Sequence, residues 1–324
     1  MNFIDEKVLE RAGFSNTSPK DYLRKVVILR DGRDATVWVH KITGHGILDV
    51  QFWEEQNYYS ENYRKEFGAK IEERMSPFEH LRIYDDLNEK QFQTFSSNLT
   101  RETRFLEIGC SFGGILNKVA NTEVKICHAV EPNKKDIEFV LKNNKKVKIF
   151  NSTFEQVKLP DEYYNMLVAI EVLEHTISPR LFLKKCFDVL CENGLINIEV
   201  PNYNNVLLSA YKNSSYQEFY YHKAHVHYFT KDSLYLLCRE CGFDGSVTSF
   251  LMYPFYNHVW WYQNHKPQLS AVTALQTPVP TDGNTPAQKA INDFYKNVEN
   301  EYETLINANM LGDCLIFQGR RKNE

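Results

Sequence analysis

No stretch of this 324-residue sequence approaches the roughly 18 consecutive apolar residues that a bilayer-spanning helix needs, so membrane insertion is not expected. Charge of one sign is also lacking: 38 Lys and Arg stand against 42 Asp and Glu, for a net charge of −4. No overall basic field draws the chain to nucleic acid, and a polynucleotide substrate is not expected. Cysteine lacks a pattern. The seven, Cys110, Cys127, Cys186, Cys191, Cys238, Cys241 and Cys314, are odd in number, and several lie in apolar strand or helix patterns. Reduced, buried thiols in a cytoplasmic protein are the natural reading. Cys238 and Cys241 form a CxxC by spacing alone, with no second pair, and carry no metal or redox expectation. Met1 to Leu9 carries Asp5 and Glu6 and has no long apolar core, so it does not read as a secretory signal.

What is present is ordinary for a soluble globular protein, with 43% hydrophobic and 25% charged residues. The length suits one large α/β domain with additions, or two modest domains. Tyrosine and phenylalanine are abundant, at 19 and 21. Core packing accounts for them, since rings bury much area; a substrate cleft walled by rings is the sharper alternative.

The chain is organised around Phe105-Leu106-Glu107-Ile108-Gly109-Cys110-Ser111-Phe112-Gly113-Gly114. An apolar run that breaks into glycines predicts a buried strand, a tight turn bringing backbone amides close to a ligand, and a helix start. The pattern then alternates: strands are expected over 105–108, 126–130, 147–150, 166–170 and 195–200, and helices over 114–120, 134–143 and 179–190. Several strand cores are nearly all apolar, as when helices cover both faces of a parallel sheet. The expected fold class is a doubly wound α/β sheet that places ligands at the C-terminal ends of its strands.

Beyond the fifth strand, helices are expected over 206–211 and 231–241, the second capped by Thr230, followed by a sixth strand over 247–253. Residues 262–285, with Pro267, Pro278, Pro280 and Gly283, read as an exposed loop. Thr285-Pro286-Ala287-Gln288 opens a helix to about residue 306 through a capping box, and a last strand follows over 314–318. Ahead of the sheet, 25–29 and 35–42 suggest a hairpin, and 71–99 is helical in spacing. Phe52 to Phe67, with Trp53, Tyr58, Tyr59 and Tyr63, fits an aromatic-lined helical cover or a plain amphipathic helix.

Glu131 ends the second strand, 22 residues beyond Gly109. An acid there can accept hydrogen bonds from both hydroxyls of a ribose, which makes a hydride-transfer dehydrogenase a competitor. The glycine pattern is not GxGxxG, and no Lys-Ser/Thr phosphate pair follows it. A ligand with a ribose but no pyrophosphate fits better.

With LEIGCSFGG at 106–114, AVEPN at 129–133, VLEH at 172–175, ENGLINIEVPNY at 192–203 and HVHYFTKDSLYLLCRECGF at 225–243, the chain resembles the class I S-adenosylmethionine-dependent methyltransferases. It is most similar to the bacterial branch that acts on sugars and small metabolites. The resemblance implies S-adenosyl-L-methionine as cofactor and a Rossmann-like methyltransferase fold, a seven-stranded, mostly parallel sheet whose last strand is antiparallel. It divides the chain into an N-terminal accessory region, 1–99, and a methyltransferase domain, 100–324, with a loop and helix insertion over 254–310. It also implies that Glu107 and the loop of Gly109, Cys110, Ser111 and Gly113 hold the methionine part, with Glu131 and Pro132 at the ribose. Ser152, Thr153 and Phe154 would lie by adenine, and Ile170 and Glu171 would complete the pocket. Two departures stand out: serine replaces the usual loop glycine at 111, and Ser152 and Thr153 stand where an aspartate is common. The sugar C-methyltransferases of this group often carry a zinc module before a Tyr-rich segment; residues 25–50 hold no cysteine, so that module is absent.

Histidines cluster where the fold leaves substrate space: His175 after the fourth strand, and His222, His225 and His227 after the fifth. Methyl transfer needs an aligned nucleophile, with removal of a proton added for a hydroxyl. His227, His225 and His175 are therefore the candidate catalytic bases; packing is the alternative for each. His225-x-His227, with His222, could ligate a metal beside Glu171 or Glu174, but no clear carboxylate cluster appears, and no metal is expected. The expected activity is O-methyl transfer to a sugar, nucleotide-sugar or glycan precursor in carbohydrate biosynthesis, with N- or C-methyl transfer, or a non-catalytic cofactor-binding module, as alternatives. The expected partner is a small-molecule or sugar-containing substrate, and the reading leaves room for a homodimer.

Overall fold

The computed structural model describes residues 4–15, 17–49 and 75–322. The Phe52–Phe67 aromatic segment lies outside them. Eleven strands fall into two sheets among the described residues. The large sheet contains β4 (Arg104–Ile108), β5 (Ile126–Glu131), β6 (Lys148–Asn151), β7 (Tyr164–Ile170), β8 (Leu190–Pro201), β10 (Phe243–Phe250) and β11 (Cys314–Arg321). Their spatial order is β10-β11-β8-β7-β4-β5-β6; β11 is antiparallel to both its neighbours, and the other pairs are parallel. This is the seven-stranded, doubly wound sheet expected from the apolar strand runs.

Alternation along the strands splits the core in two. Leu106 and Ile108 of β4, with Leu167 and Ala169 of β7, pack toward Phe182, Leu183 and Cys186 of helix Pro179–Val189. Phe105, Met166 and Val168 pack toward Ile115, Leu116 and Val119 of helix Gly114–Ala120. A two-residue period with both faces buried is what a helix-covered parallel sheet requires. Cys238 and Cys241 sit in the first core beside Cys186, and all seven cysteines are free thiols. Burial raises the pKa of both members of the CxxC, consistent with inert packing.

The small sheet joins β1 (Tyr22–Ile28), β2 (Asp34–His40) and β3 (Gly46–Leu48) to β9 (His227–Tyr228), all antiparallel. Val37 and Leu48 pair and pack in a second core with Tyr216, Tyr220, Tyr221, Tyr228 and Trp261; Trp38 and Ile47 pair and pack against the main core. The hairpin is therefore a wall shared between the large sheet and the segment that follows β8.

Three expectations need correction. The sixth strand is Phe243–Phe250, not 247–253, since β10 pairs in register with β11 from Phe243↔Arg321 to Phe250↔Cys314. Within 262–285, expected as an exposed loop, residues 262–264 end helix Phe255–Asn264 and Ala271–Leu275 forms a short helix, while the rest is irregular and no residue is buried. The fifth strand begins at Leu190 rather than 195, through its pairing with Tyr164. The capping box at Thr285 and Gln288 opens helix Pro286–Ala308 as expected.

Candidate active site

The C-terminal ends of β4 and β5 build one wall. Leaving β4, the chain turns through Gly109 at φ +78°, Ser111 at φ +49° and Gly113 at φ +81°. Gly109 cannot carry a side chain here: a Cβ would lie 2.7 Å from Val172 Cγ2, and its φ already disfavours one. Ser111 adopts the left-handed conformation without being glycine, at a cost of about 1 kcal/mol, and is held there by its N–H, which donates to the Glu131 carboxylate at 2.9 Å. The Asn133 N–H donates to the other Glu131 oxygen at 2.8 Å. Asn151 Nδ2 donates to the Pro132 carbonyl at 3.0 Å, linking β6 to the same corner.

Glu107, one residue before the end of β4, is buried, and its Oε2 has no hydrogen-bond partner. Burial first, then the Glu131 charge, push its carboxyl up to about 8. Cys110 packs in the core beside Ile115. Beyond β6, Ser152 bends the chain into a turn that opens at Thr153, whose carbonyl accepts from the Gln156 and Val157 N–H groups, whereas the Phe154 ring belongs to the core, 4.9 Å from the Phe182 ring.

The ends of β7 and β8 hold a second group of acids. Ile170 ends β7, and Glu171 follows in the left-handed region at φ +54°. Burial, reinforced by the Glu199 charge, raises the Glu171 carboxyl to about 8; Cys314 Sγ lies 3.4 Å from its Oε1. Glu199 of β8 is buried, accepts from Gln91 Nε2 at 2.8 Å and is pushed up to about 7 by burial. Glu174 is fully buried in the turn after β7. Sequence reasoning assigned no site role to Glu199 or Cys314; an acid inside the apolar run Asn197-Ile198-Glu199-Val200 was the available signal.

The histidines divide. His175 Nδ1 meets the Ala224 carbonyl at 2.9 Å, which makes it the protonated nitrogen and leaves Nε2 as an acceptor, 3.5 Å from Glu174 Oε1. The His225 ring lies 4.8 Å from that of His175, and its Nε2 is 3.9 Å from the same oxygen; the His222 ring is 3.7 Å from that of His225. Burial holds His175 down to about 4 and lowers His222 and His225, so these rings are neutral at pH 7. His227 stands apart in β9, 1% exposed, with Nδ1 3.1 Å from His45 Nε2 and Nε2 3.4 Å from the Ile177 carbonyl. Both its ring nitrogens are occupied in a core contact. The structure thus brings His175 and His225 together with Glu174 and leaves His227 as a brace between β3 and β9.

Next to His225 is a wall of rings. Tyr228 lies 6.3 Å from His225, and Tyr203, Tyr220 and Tyr221 stack or edge onto Tyr228 within 6 Å. Lys25 of β1 reaches it, donating to Tyr221 Oη at 2.9 Å, and Tyr221 Oη lies 2.8 Å from Tyr203 Oη. Partial burial lowers the Lys25 pKa.

Comparison with known proteins gives a family for this arrangement. Residues 54–246, more than half of the chain, match the family described as a methyltransferase domain. A ubiquinone biosynthesis O-methyltransferase of Bradyrhizobium diazoefficiens is 27% identical over 113 residues, 34% of this chain and 44% of that protein. The chain thus matches less than half the length of that relative. Among solved structures, a methyltransferase of Thermotoga maritima, described as a possible histamine N-methyltransferase, superposes with a TM-score of 0.50 at 18% identity, covering 80% of this chain and 98% of that one. An Archaeoglobus fulgidus methyltransferase gives 0.47 at 17%, covering 73% and 94%. At 18% identity the Thermotoga structure speaks to the fold alone.

Proposed function

Since the chain belongs to the methyltransferase-domain family, we propose that it is an O-methyltransferase that uses S-adenosylmethionine to methylate a hydroxyl of a sugar, nucleotide-sugar or glycan precursor. The cofactor supplies an electrophilic methyl group on a sulfonium. The observation that carries the reading is the corner made by Glu107, Gly109, Ser111 and Glu131. Glu107 offers a buried oxygen with no hydrogen-bond partner, suited to the ammonium of the methionine part. Glu131, oriented by two backbone amides, would accept from the ribose hydroxyls. Gly109, Cys110 and Gly113 bring the backbone close; Pro132, Ser152, Thr153 and the backbone at Phe154 would border the adenine, and Ile170 and Glu171 would close the far side.

The acceptor would lie by the partly exposed Tyr203 and Lys25, which the buried Tyr220, Tyr221 and Tyr228 back from the core side. Rings paired with a cation suit a sugar face bearing negative charge. His175 and His225 would meet its hydroxyl, a reading supported by their nearness to each other and to Glu174, whereas both ring nitrogens of His227 are engaged in the core. The O-methyltransferase name of the Bradyrhizobium relative agrees with oxygen as the methylated atom. Calorimetry with S-adenosylmethionine and S-adenosylhomocysteine tests the cofactor corner, and absence of binding to either sinks the reading. A methyl-transfer screen over nucleotide-sugars and phosphorylated sugars, read by mass, tests the acceptor class.

A further inference from the structure

Glu174, His175 and His225 converge although the sequence separates them by some fifty residues, and their ligand atoms all lie within 4.8 Å of one another. Glu174 is 0% exposed, and neither of its carboxylate oxygens has a hydrogen-bond partner. Among the described residues nothing donates to it, and a carboxylate in that condition costs several kcal/mol unless a cation, a donor or its own proton completes it. The neighbouring acids differ, for Glu199 is bonded to Gln91 and Glu171 to Cys314. We propose that Glu174, His175 and His225 form a binding site for a divalent transition-metal cation of the manganese-to-zinc series.

The surroundings are those of a ligand set. His175 donates its Nδ1–H to the Ala224 carbonyl, which fixes the tautomer and turns the Nε2 lone pair toward Glu174. Metal-bound imidazoles are held in this way by a second hydrogen bond. The Val226 N–H donates to the Glu174 carbonyl at 3.0 Å, and the His225 N–H to the His222 carbonyl at 3.1 Å, so backbone bonds set the distance between the two segments. A cation bound at about 2.1 Å places neighbouring donors about 3.0–3.4 Å apart. The separations of 3.5 and 3.9 Å from Glu174 Oε1 come within a small side-chain adjustment of that. The His175 and His225 side chains are 11% and 12% exposed, which leaves the cation a way in.

Two imidazoles and one carboxylate select zinc, iron, cobalt or manganese over magnesium, which prefers an all-oxygen shell. Three protein ligands leave positions open. An acceptor hydroxyl would take one of them, so that His175 and His225 orient it through the cation rather than act as free bases; this use rests on the methyl-transfer reading, whereas binding of the cation does not.

The test uses the full chain without added histidines, stripped by chelator. Cobalt(II) is followed by its visible absorption, and zinc(II) by calorimetry, in the wild type and in His225→Ala and Glu174→Gln. The expected result is saturation at one equivalent, with affinity about tenfold or more weaker in each variant that remains folded by circular dichroism. No saturable binding by the wild type, or binding unchanged in a folded variant, overturns the proposal; the wild-type titration decides if both variants unfold. S-adenosylmethionine binding is measured on the same samples. Cation binding without cofactor binding would sink the methyltransferase reading and leave this site standing, and the converse would remove the cation alone.

Discussion

The Ser111 backbone N–H donates to the Glu131 carboxylate across 2.9 Å, which locks the turn after β4 to the end of β5. One side chain therefore shapes the loop and, on the proposed function, meets a ribose, so its removal should have two separable effects.

Glu131→Ala should weaken S-adenosylmethionine binding by about 10- to 100-fold, the loss expected for hydrogen bonds to a charged group. Glu131→Gln keeps an acceptor for the Ser111 amide and should fall between. Calorimetry reads both; an alanine variant that binds as the wild type does would remove Glu131 from the cofactor site.

Gly109→Ala should cost about 2 kcal/mol or more in stability and abolish cofactor binding, because its Cβ would meet Val172 Cγ2 at 2.7 Å in a left-handed backbone. Urea denaturation measures the first effect. A stable variant with normal binding would mean that the turn relaxes freely.

Glu107 gives a pH dependence of defined sign. Its folded pKa of about 8 lies above that of an unfolded carboxyl, near 4.3, so the native state keeps a proton that the unfolded state has lost. Its contribution is full below about pH 4.3 and is lost as pH rises through about 8. Glu171 and Glu199, also raised, act in the same direction, so the informative quantity is a difference between proteins. Without cofactor, Tm should fall less between pH 5 and 8.5 in Glu107→Gln than in the wild type. Parallel curves would contradict the burial argument.

His227 and His225 should separate stability from turnover. His227→Ala leaves a cavity in the core and an unmatched His45 ring, a cost of about 2–4 kcal/mol visible in Tm. His225→Ala should keep S-adenosylmethionine binding and lose methyl transfer by at least about tenfold. Equal turnover per folded molecule in the wild type and His225→Ala would exclude His225 from the reaction.

The large sheet was readable because its central parallel strands are buried on both faces and leave nearly apolar runs, as in Met166–Ile170. The sixth strand slipped in the reading because Phe243–Phe250 has one covered face and reads Phe-Asp-Gly-Ser-Val-Thr-Ser-Phe; its register comes from β11. Helix Phe255–Asn264 carries six aromatic or histidine-type rings and no side-chain cap, so propensity did not announce it, and burial of Trp261 anchors it. The glycine turn after β4 and the strand ends that carry Glu107 and Glu131 were legible from position alone. The meeting of Glu174 and His175 with His225 was not, because it is made by the Ala224 and Val226 backbone contacts, which leave no periodic trace.

β3 pairs with β9 through Gly46↔Tyr228 and Ile47↔His227, and the His45–His227 contact spans 182 residues. During synthesis the hairpin emerges first, yet its third strand, paired with β2 on one edge, lacks a neighbour on the other until residue 228 has left the ribosome. Closure of so long a loop is slow, and in the interval the open strand edge is a template for other chains. Chains arrested before residue 227 should therefore associate through β3, and completed ones should not.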